Sequence, residues 1–240
     1  GNTTGQLTPV IKLDGETDGA SVALVVTDPE GYAVYEGPAA GDPIEIEGIQ
    51  PWSHAAPVLY HAVLTLRDAD GVLQEVVPYD IGFRRFEMIN GVMCLNGERV
   101  VFNGVNRHEW NADRGRAIDA DDMHAAMAVF KKNNINAVRT CHYPDQSLWY
   151  DLCDQNGIYM IDETNLESHG SWQKLGAVEP SWNVPGSLPE WRDCVVDRAR
   201  SMFERDKNHA AVLIWSCGNE SYAGEDILAM SQFFHDHDPG

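Results

Sequence analysis

Residues 212–220 read Val212-Leu213-Ile214-Trp215-Ser216-Cys217-Gly218-Asn219-Glu220. Four consecutive apolar residues closed by small and polar ones are the pattern of a strand buried on both faces; a half-exposed strand would alternate. A helical pattern with Ile227, Met230 and Phe234 on one face follows. The same grammar precedes it three times. Val100-Val101-Phe102 is read as a strand leading to a helix over about Asp121 to Asn133, with Met123, Met127 and Phe130 on one face. That helix has acids in its first turn and Lys131 and Lys132 in its last, as the helix dipole favours. Ala137-Val138 leads to a helix after Pro144 with Leu148, Trp149 and Leu152, closed by Gly157. Ile158 to Ile161 leads to a helix opened by Pro189, with Trp191, Val195, Met202 and Phe203 inward. Four βα units in series predict parallel strands, in a barrel or a doubly wound sheet. No GxGxxG or Walker motif follows a strand, which counts against a nucleotide-binding sheet.

Upstream of about residue 95 the period changes to that of an all-β domain. Val22-Ala23-Leu24-Val25-Val26 and Ala62-Val63-Leu64-Thr65-Leu66 are strand-like runs. The turn signals Asp14-Gly15, Asp28-Pro29-Glu30-Gly31, Gly41-Asp42-Pro43 and Asp70-Gly71 separate such runs. This spacing fits a β-sandwich. Asn90-Gly91 and Asn96-Gly97 flank a short hairpin leading out of it. The expected fold is therefore multidomain, β plus α/β: a β-sandwich over 1–87, then four βα units over 88–240, in a barrel or a doubly wound sheet. The second stretch is about 150 residues, whereas a whole barrel takes about 250.

Composition bounds the function. The 240 residues are 43% hydrophobic, with 17 basic against 37 acidic side chains and a net charge of −20. So acidic a chain is a poor partner for nucleic acid or anionic lipid, and suits a neutral or cationic ligand or a metal. No apolar stretch is long enough to span a bilayer, and the chain begins at Gly1 without a basic-then-apolar leader, as a trimmed or internal piece would. The five cysteines, Cys94, Cys141, Cys153, Cys194 and Cys217, form no CxxC. They read as free thiols in a reducing, cytoplasmic compartment. Cys141 beside His142 is weighed as a nucleophile and set aside, because sequence neighbours on a strand point to opposite faces.

The polar residues cluster just after each strand: Asn106, Arg107, His108 and Glu109; Arg139 and His142; Asp162, Glu163, Asn165, Glu167 and His169; Asn219 and Glu220. In a βα barrel the carboxyl ends of all strands meet on one face, so these clusters would converge where the chemistry sits. Caps and satisfied loop residues are the bland alternative for each, but His and Glu are not preferred caps. The loop from about Glu163 to Leu188 is far longer than usual and carries Trp172 and Trp182, whose faces suit sugar rings, with Gly170, Gly176 and Gly186. Glu167-Ser168-His169 can bite one cation if the backbone is extended, although Mg2+ more often takes oxygen ligands, which makes His169 unusual. Glu220, at a strand end in a concave site, suits a general acid. A second carboxylate would complete a glycosidase pair; spacing alone leaves its identity open.

These residues resemble glycoside hydrolase family 2 and, within it, the large bacterial β-galactosidases. The likeness runs through Asn103-Gly104-Val105-Asn106-Arg107-His108-Glu109, then Asn136-Ala137-Val138-Arg139-Thr140-Cys141-His142-Tyr143-Pro144. It continues through Asp162-Glu163-Thr164-Asn165-Leu166-Glu167-Ser168-His169-Gly170 and Ile214 to Ser221. The resemblance implies an immunoglobulin-like β-sandwich over 1–87 followed by the first four βα units of a TIM (β/α)8 barrel over 88–240, and retaining, double-displacement hydrolysis of terminal β-galactosides. Glu220 matches the acid/base, and Asn219 a contact to the sugar 2-hydroxyl. His108, Arg139 and His142 match substrate-binding residues, and Glu167, His169 and Glu220 match the ligands of a Mg2+ ion, with Na+ or K+ as a further candidate. The Glu-x-His-Gly pair favours galactosidase over the related β-glucuronidases. Trp110, Asn111 and Cys141 depart from the common pattern, which touches fine specificity. The family's nucleophile is a Glu on a later strand, so none is assigned in this chain. The chain is expected to be an internal fragment, inactive alone, of a homo-oligomeric parent. The alternative is a non-catalytic sugar- or partner-binding half-barrel module.

Overall fold

The computed structural model describes residues 3–169 and 184–238. The chain divides into two compact units, residues 1–85 and 86–240. Among the described residues no helix is long and apolar enough to cross a membrane.

The first unit holds β1 (Thr4–Leu7), β2 (Ser21–Thr27), β3 (Ala33–Pro38), β4 (Ile44–Glu47), β5 (Tyr60–Arg67) and β6 (Leu73–Ile81). β3-β2-β5-β6 form one antiparallel sheet, and β1 pairs with β4 in a second. The period-2 alternation of strands places Leu24 and Val26 of β2 and Tyr60 and Ala62 of β5 inward. There they pack with Ile46, Ile49 and Phe83 in one core, the immunoglobulin-like sandwich read from the sequence. The turn signals act as expected. Asp28 Oδ1 accepts the Tyr32 N–H at 2.8 Å, and Asp68 Oδ1 accepts those of Asp70 and Val72 at 3.0 and 2.9 Å.

The second unit opens with a meander of β7 (Phe86–Ile89), β8 (Val92–Leu95) and β9 (Glu98–Arg99). Asn90-Gly91 and Asn96-Gly97 are its two tight turns, with positive φ at all four residues, the backbone that Asn-Gly pairs favour. Then β10 (Gly104–Arg107), β11 (Ala137–Thr140), β12 (Tyr159–Glu163) and β13 (Val212–Ser216) form one parallel sheet in sequence order. Helices α1 (Ala120–Lys132), α2 (Ser147–Asn156) and α3 (Pro189–Asp206) lie between consecutive strands, and α4 (Glu225–His237) follows β13. This is the arrangement of the first four units of a βα barrel.

Helix positions follow from local chemistry. α1 starts at an Asp119–Asp122 capping box and buries Met123, Met127 and Phe130. α2 stops at Gly157, whose φ of 66° is the left-handed cap. α3 carries Pro189 in its first turn. Val195, Ala199, Met202 and Phe203 of α3 pack with Met230, Phe233 and Phe234 of α4 and with Leu166. Trp215 of β13 stacks on Phe234 at 5.6 Å between centroids, tying the sheet to this layer.

Two expectations need correction. The first barrel strand is Gly104–Arg107, not Val100–Phe102. Val101 is 65% exposed, and the Val100 N–H bonds to the Met93 carbonyl, so this run continues the meander. Gly104 is where the barrel pairing begins, opposite Ala137; a Cβ there would lie 3.1 Å from the Ala137 Cβ. Trp191, placed on the inner stripe of α3, is 39% exposed and lies outside the α3–α4 core cluster, because it sits in the first turn of the helix.

Candidate active site

Parallel register aligns the strand ends. Asn106 stands opposite Arg139, Arg107 opposite Thr140, and Glu163 opposite Ser216. The loops that follow therefore leave the sheet on one side, and the residues they carry meet there.

At the centre is Glu163, the last residue of β12 and 0% exposed. Its Oε2 accepts from Arg139 Nε at 2.5 Å and from Ser216 Oγ at 2.7 Å. Its Oε1 lies 2.6 Å from His142 Nδ1. The His108 ring meets the His142 ring edge-on at 5.4 Å between centroids. Arg139 also donates from Nη2 to Asn219 Oδ1 at 3.1 Å. The Asn219 amide in turn donates to Glu167 Oε1 at 2.9 Å.

Beyond Asn219 lies a three-residue cluster. His169 Nδ1 is 3.4 Å from Glu167 Oε1 and 3.9 Å from Glu220 Oε2. One donor atom from each of Glu167, His169 and Glu220 lies within 4.8 Å of the others. Two hard carboxylate oxygens and an imidazole nitrogen that converge in this way fit one divalent cation. The Asn219 hydrogen bond holds the Glu167 carboxyl below its ordinary range; partial burial opposes this, and His142 and His169 add to it. A carboxylate kept charged suits a cation.

The β13 loop reaches this cluster through backbone geometry. The Asn219 N–H bonds to the Leu166 carbonyl, and Glu167 and Asn219 form a parallel bridge. Gly218 lies against the same segment with φ +130°, and a Cβ there would sit 2.5 Å from the Leu166 carbonyl oxygen. Glu220 follows at φ +32°. Its side chain is 56% exposed.

A second layer supports the first. Arg107 pairs with Asp145 at 2.5 Å and lies 3.9 Å over the Trp149 ring. Burial pushes the Asp145 carboxyl up to about 7, against the Arg107 charge. Tyr150 Oη donates to Asp162 Oδ1 at 2.6 Å. Burial and the neighbouring Asp206 push Asp162 well above the carboxylate range.

All seven residues singled out from the sequence stand in this assembly: Glu220, Glu167 and His169 in the cluster, and Asn219, Arg139, His142 and His108 along the chain of contacts to it. Sequence reasoning named Glu163 only as part of the acidic group after the third strand and passed over Ser216 and Thr140. The signal for Glu163 was its place at the end of a strand that opens with the apolar run Tyr159-Met160-Ile161. Cys141 is buried, and burial pushes its thiol up, away from a reactive thiolate. All five cysteines are free. Trp172, Trp182, Gly170 and Gly176, expected in a wall of the site, lie outside the described residues.

Both units match known families. Residues 86–240 match the family described as glycosyl hydrolases family 2, TIM barrel domain, and residues 5–84 match glycosyl hydrolases family 2. A beta-galactosidase of Streptococcus thermophilus is 53% identical over 98% of this chain and 23% of its own length. One of Clostridium acetobutylicum is 61% identical over 82% of this chain and 22% of its own. A beta-galactosidase large subunit of Lactobacillus acidophilus is 52% identical over 95% of this chain and 37% of its own. The chain thus spans well under half the length of these relatives. The solved β-D-glucuronidase of Dictyoglomus thermophilum shares the fold, with a TM-score of 0.81 at 23% identity over 98% of this chain and 42% of that one. With both units matched in order, and the clustered residues lying at the carboxyl ends of the parallel strands, the chain belongs to glycosyl hydrolase family 2.

Proposed function

We propose that the protein hydrolyses terminal non-reducing β-D-galactose residues from lactose-like β-galactosides with retention, and that these residues form its acid/base and metal-holding side. The observation that carries the reading is the convergence of Glu167, His169 and Glu220 beside Asn219 and Arg139. Glu220 gives its proton to the departing glycosidic oxygen and then takes one from the incoming water. Asn219 meets the sugar 2-hydroxyl, while Arg139, His108 and His142 hold the ring. The nucleophile, a second carboxylate, is assigned to no residue of this chain. The chain alone is therefore expected to turn nothing over.

Glu167, His169 and Glu220 would hold the Mg2+ ion. When bound, the ion supplies positive charge beside the acid/base carboxyl. The galactoside reading is favoured over a glucuronide by the Glu167-Ser168-His169-Gly170 stretch, which the sequence resemblance ties to galactosidases. The relatives at 52 to 61% identity are named beta-galactosidases, whereas the glucuronidase likeness at 23% is one of fold. The free thiols support a reducing, cytoplasmic setting.

Glu220→Gln in the whole protein tests the reading. Turnover of lactose, whose leaving group needs a proton, should fall by about 100- to 10,000-fold. The glycosylation step of a nitrophenyl galactoside, whose leaving group does not, should fall far less. Equal losses on both would remove the acid role.

A further inference from the structure

We propose that Glu163 is the positioning residue of this site: one buried carboxylate fixes both the guanidinium plane of Arg139 and the ring tautomer of His142. The inference rests on the sugar-binding roles given above to Arg139 and His142.

Glu163 has no exposed surface, so it does not meet a ligand itself. It acts through others. A carboxylate only accepts hydrogen bonds, so each of its partners must donate. Arg139 Nε and Ser216 Oγ share Oε2, and His142 Nδ1 takes Oε1. The Glu163 backbone is pinned as well, its N–H donating to Thr140 Oγ1 at 2.8 Å. With its N–H on Nδ1, a neutral His142 ring carries a bare Nε2, which accepts from a sugar hydroxyl. Arg139 is held at two points, Nε on Glu163 and Nη2 on Asn219, so its plane is set before any ligand arrives. Burying a carboxylate is costly, and an apolar residue at the end of β12 would hold the sheet without that cost. What the carboxylate adds is directional control of two neighbours that come from β11 and the loop after it.

Gln at this position is nearly isosteric but has one acceptor oxygen and one NH2 group. Three donors cannot all be met. If the oxygen keeps Arg139 and Ser216, the amide NH2 faces His142 Nδ1 and the ring must carry its proton on Nε2. If the amide turns over, its NH2 opposes the Arg139 Nε–H instead.

The test uses the whole protein with Glu163→Gln, His142→Ala and the double variant, assayed on lactose. Glu163→Gln should lower kcat/KM by about 100-fold, mostly in kcat. In the His142→Ala background the same change should cost much less, because part of its effect passes through the missing ring. Additive losses, or a Glu163→Gln enzyme within threefold of wild type, would overturn the proposal. Nitrogen-15 NMR of His142 reads the tautomer independently of activity, with Nδ1–H expected in wild type and Nε2–H in Glu163→Gln. An Nε2–H ring in wild type overturns the proposal even if the variant does not fold. A wild-type protein inert on every β-galactoside, with the tautomers as expected, would instead sink the functional reading and leave Glu163 as the residue that sets His142.

Discussion

Glu167 stands between two duties. It accepts the Asn219 amide, and it is one of the two carboxylates in the cluster proposed to hold the ion. With Mg2+ held as proposed, Glu167→Ala would remove a direct ligand, so its effect should exceed the 10- to 100-fold losses typical of outer partners. Titration calorimetry of Mg2+ into chelator-treated protein should show affinity down by about 100-fold or more, and chelation of the wild type should lower activity in the same way. An unchanged Mg2+ affinity would remove Glu167 from the site. Asp145 makes a different kind of residue-scale prediction. Burial raises its carboxyl from 3.8 to about 7, so between those values the folded state holds a proton that the unfolded state has lost. Its contribution to stability is full below about pH 4 and is lost as the pH rises through 7, on the order of 4 kcal/mol for a three-unit displacement. Denaturant midpoints should therefore fall from pH 5 to pH 8, and the fall should be smaller in Asp145→Asn. An equal fall in both would mean that Arg107 holds Asp145 charged throughout.

At the scale of elements, helix patterns were far more legible than contacts. The Met123, Met127 and Phe130 stripe and the Gly157 stop follow from 3.6-residue spacing and capping chemistry, which are local. The capping box at Asp119 should be worth about 1 kcal/mol, read as a lower denaturant midpoint in Asp119→Ala; no change would mean that solvent serves the α1 amides equally well. β10 was misplaced because its sequence, Gly-Val-Asn-Arg, lacks an apolar run. Its strand character comes from pairing with β11, and Gly104 permits the close approach. Glu163 was undervalued for the same reason. Its partners Arg139, His142 and Ser216 lie 24, 21 and 53 residues away, and spacing carries no trace of who meets whom across a sheet. Glu167 and His169 were legible because an extended E-x-H pair is local. Their junction with Glu220 depends on the bridge between Glu167 and Asn219.

For the molecule as a whole, the sheet ends matter. Among the described residues β10 pairs only with β11, and β13 only with β12. Among the described residues neither has a second strand beside it, and β13 is only partly buried beyond Val212. Open edges beside apolar surface recruit further strands. Light scattering of the 240-residue chain alone should show an oligomer; a monomer at high concentration would mean that these edges are covered.

The bond from Arg139 Nη2 to Asn219 Oδ1 spans 80 residues of chain, and this separation has a kinetic meaning. A contact of such range closes late, after the loop-closure entropy of the intervening helices has been met. On a ribosome, β11 and β12 emerge well before β13. Until β13 is out, the Glu163 carboxylate has no Ser216 and Arg139 has no Asn219. During that interval a buried acid is only partly matched, and a stall in synthesis there is where the nascent chain should be most exposed to proteases and most in need of a chaperone.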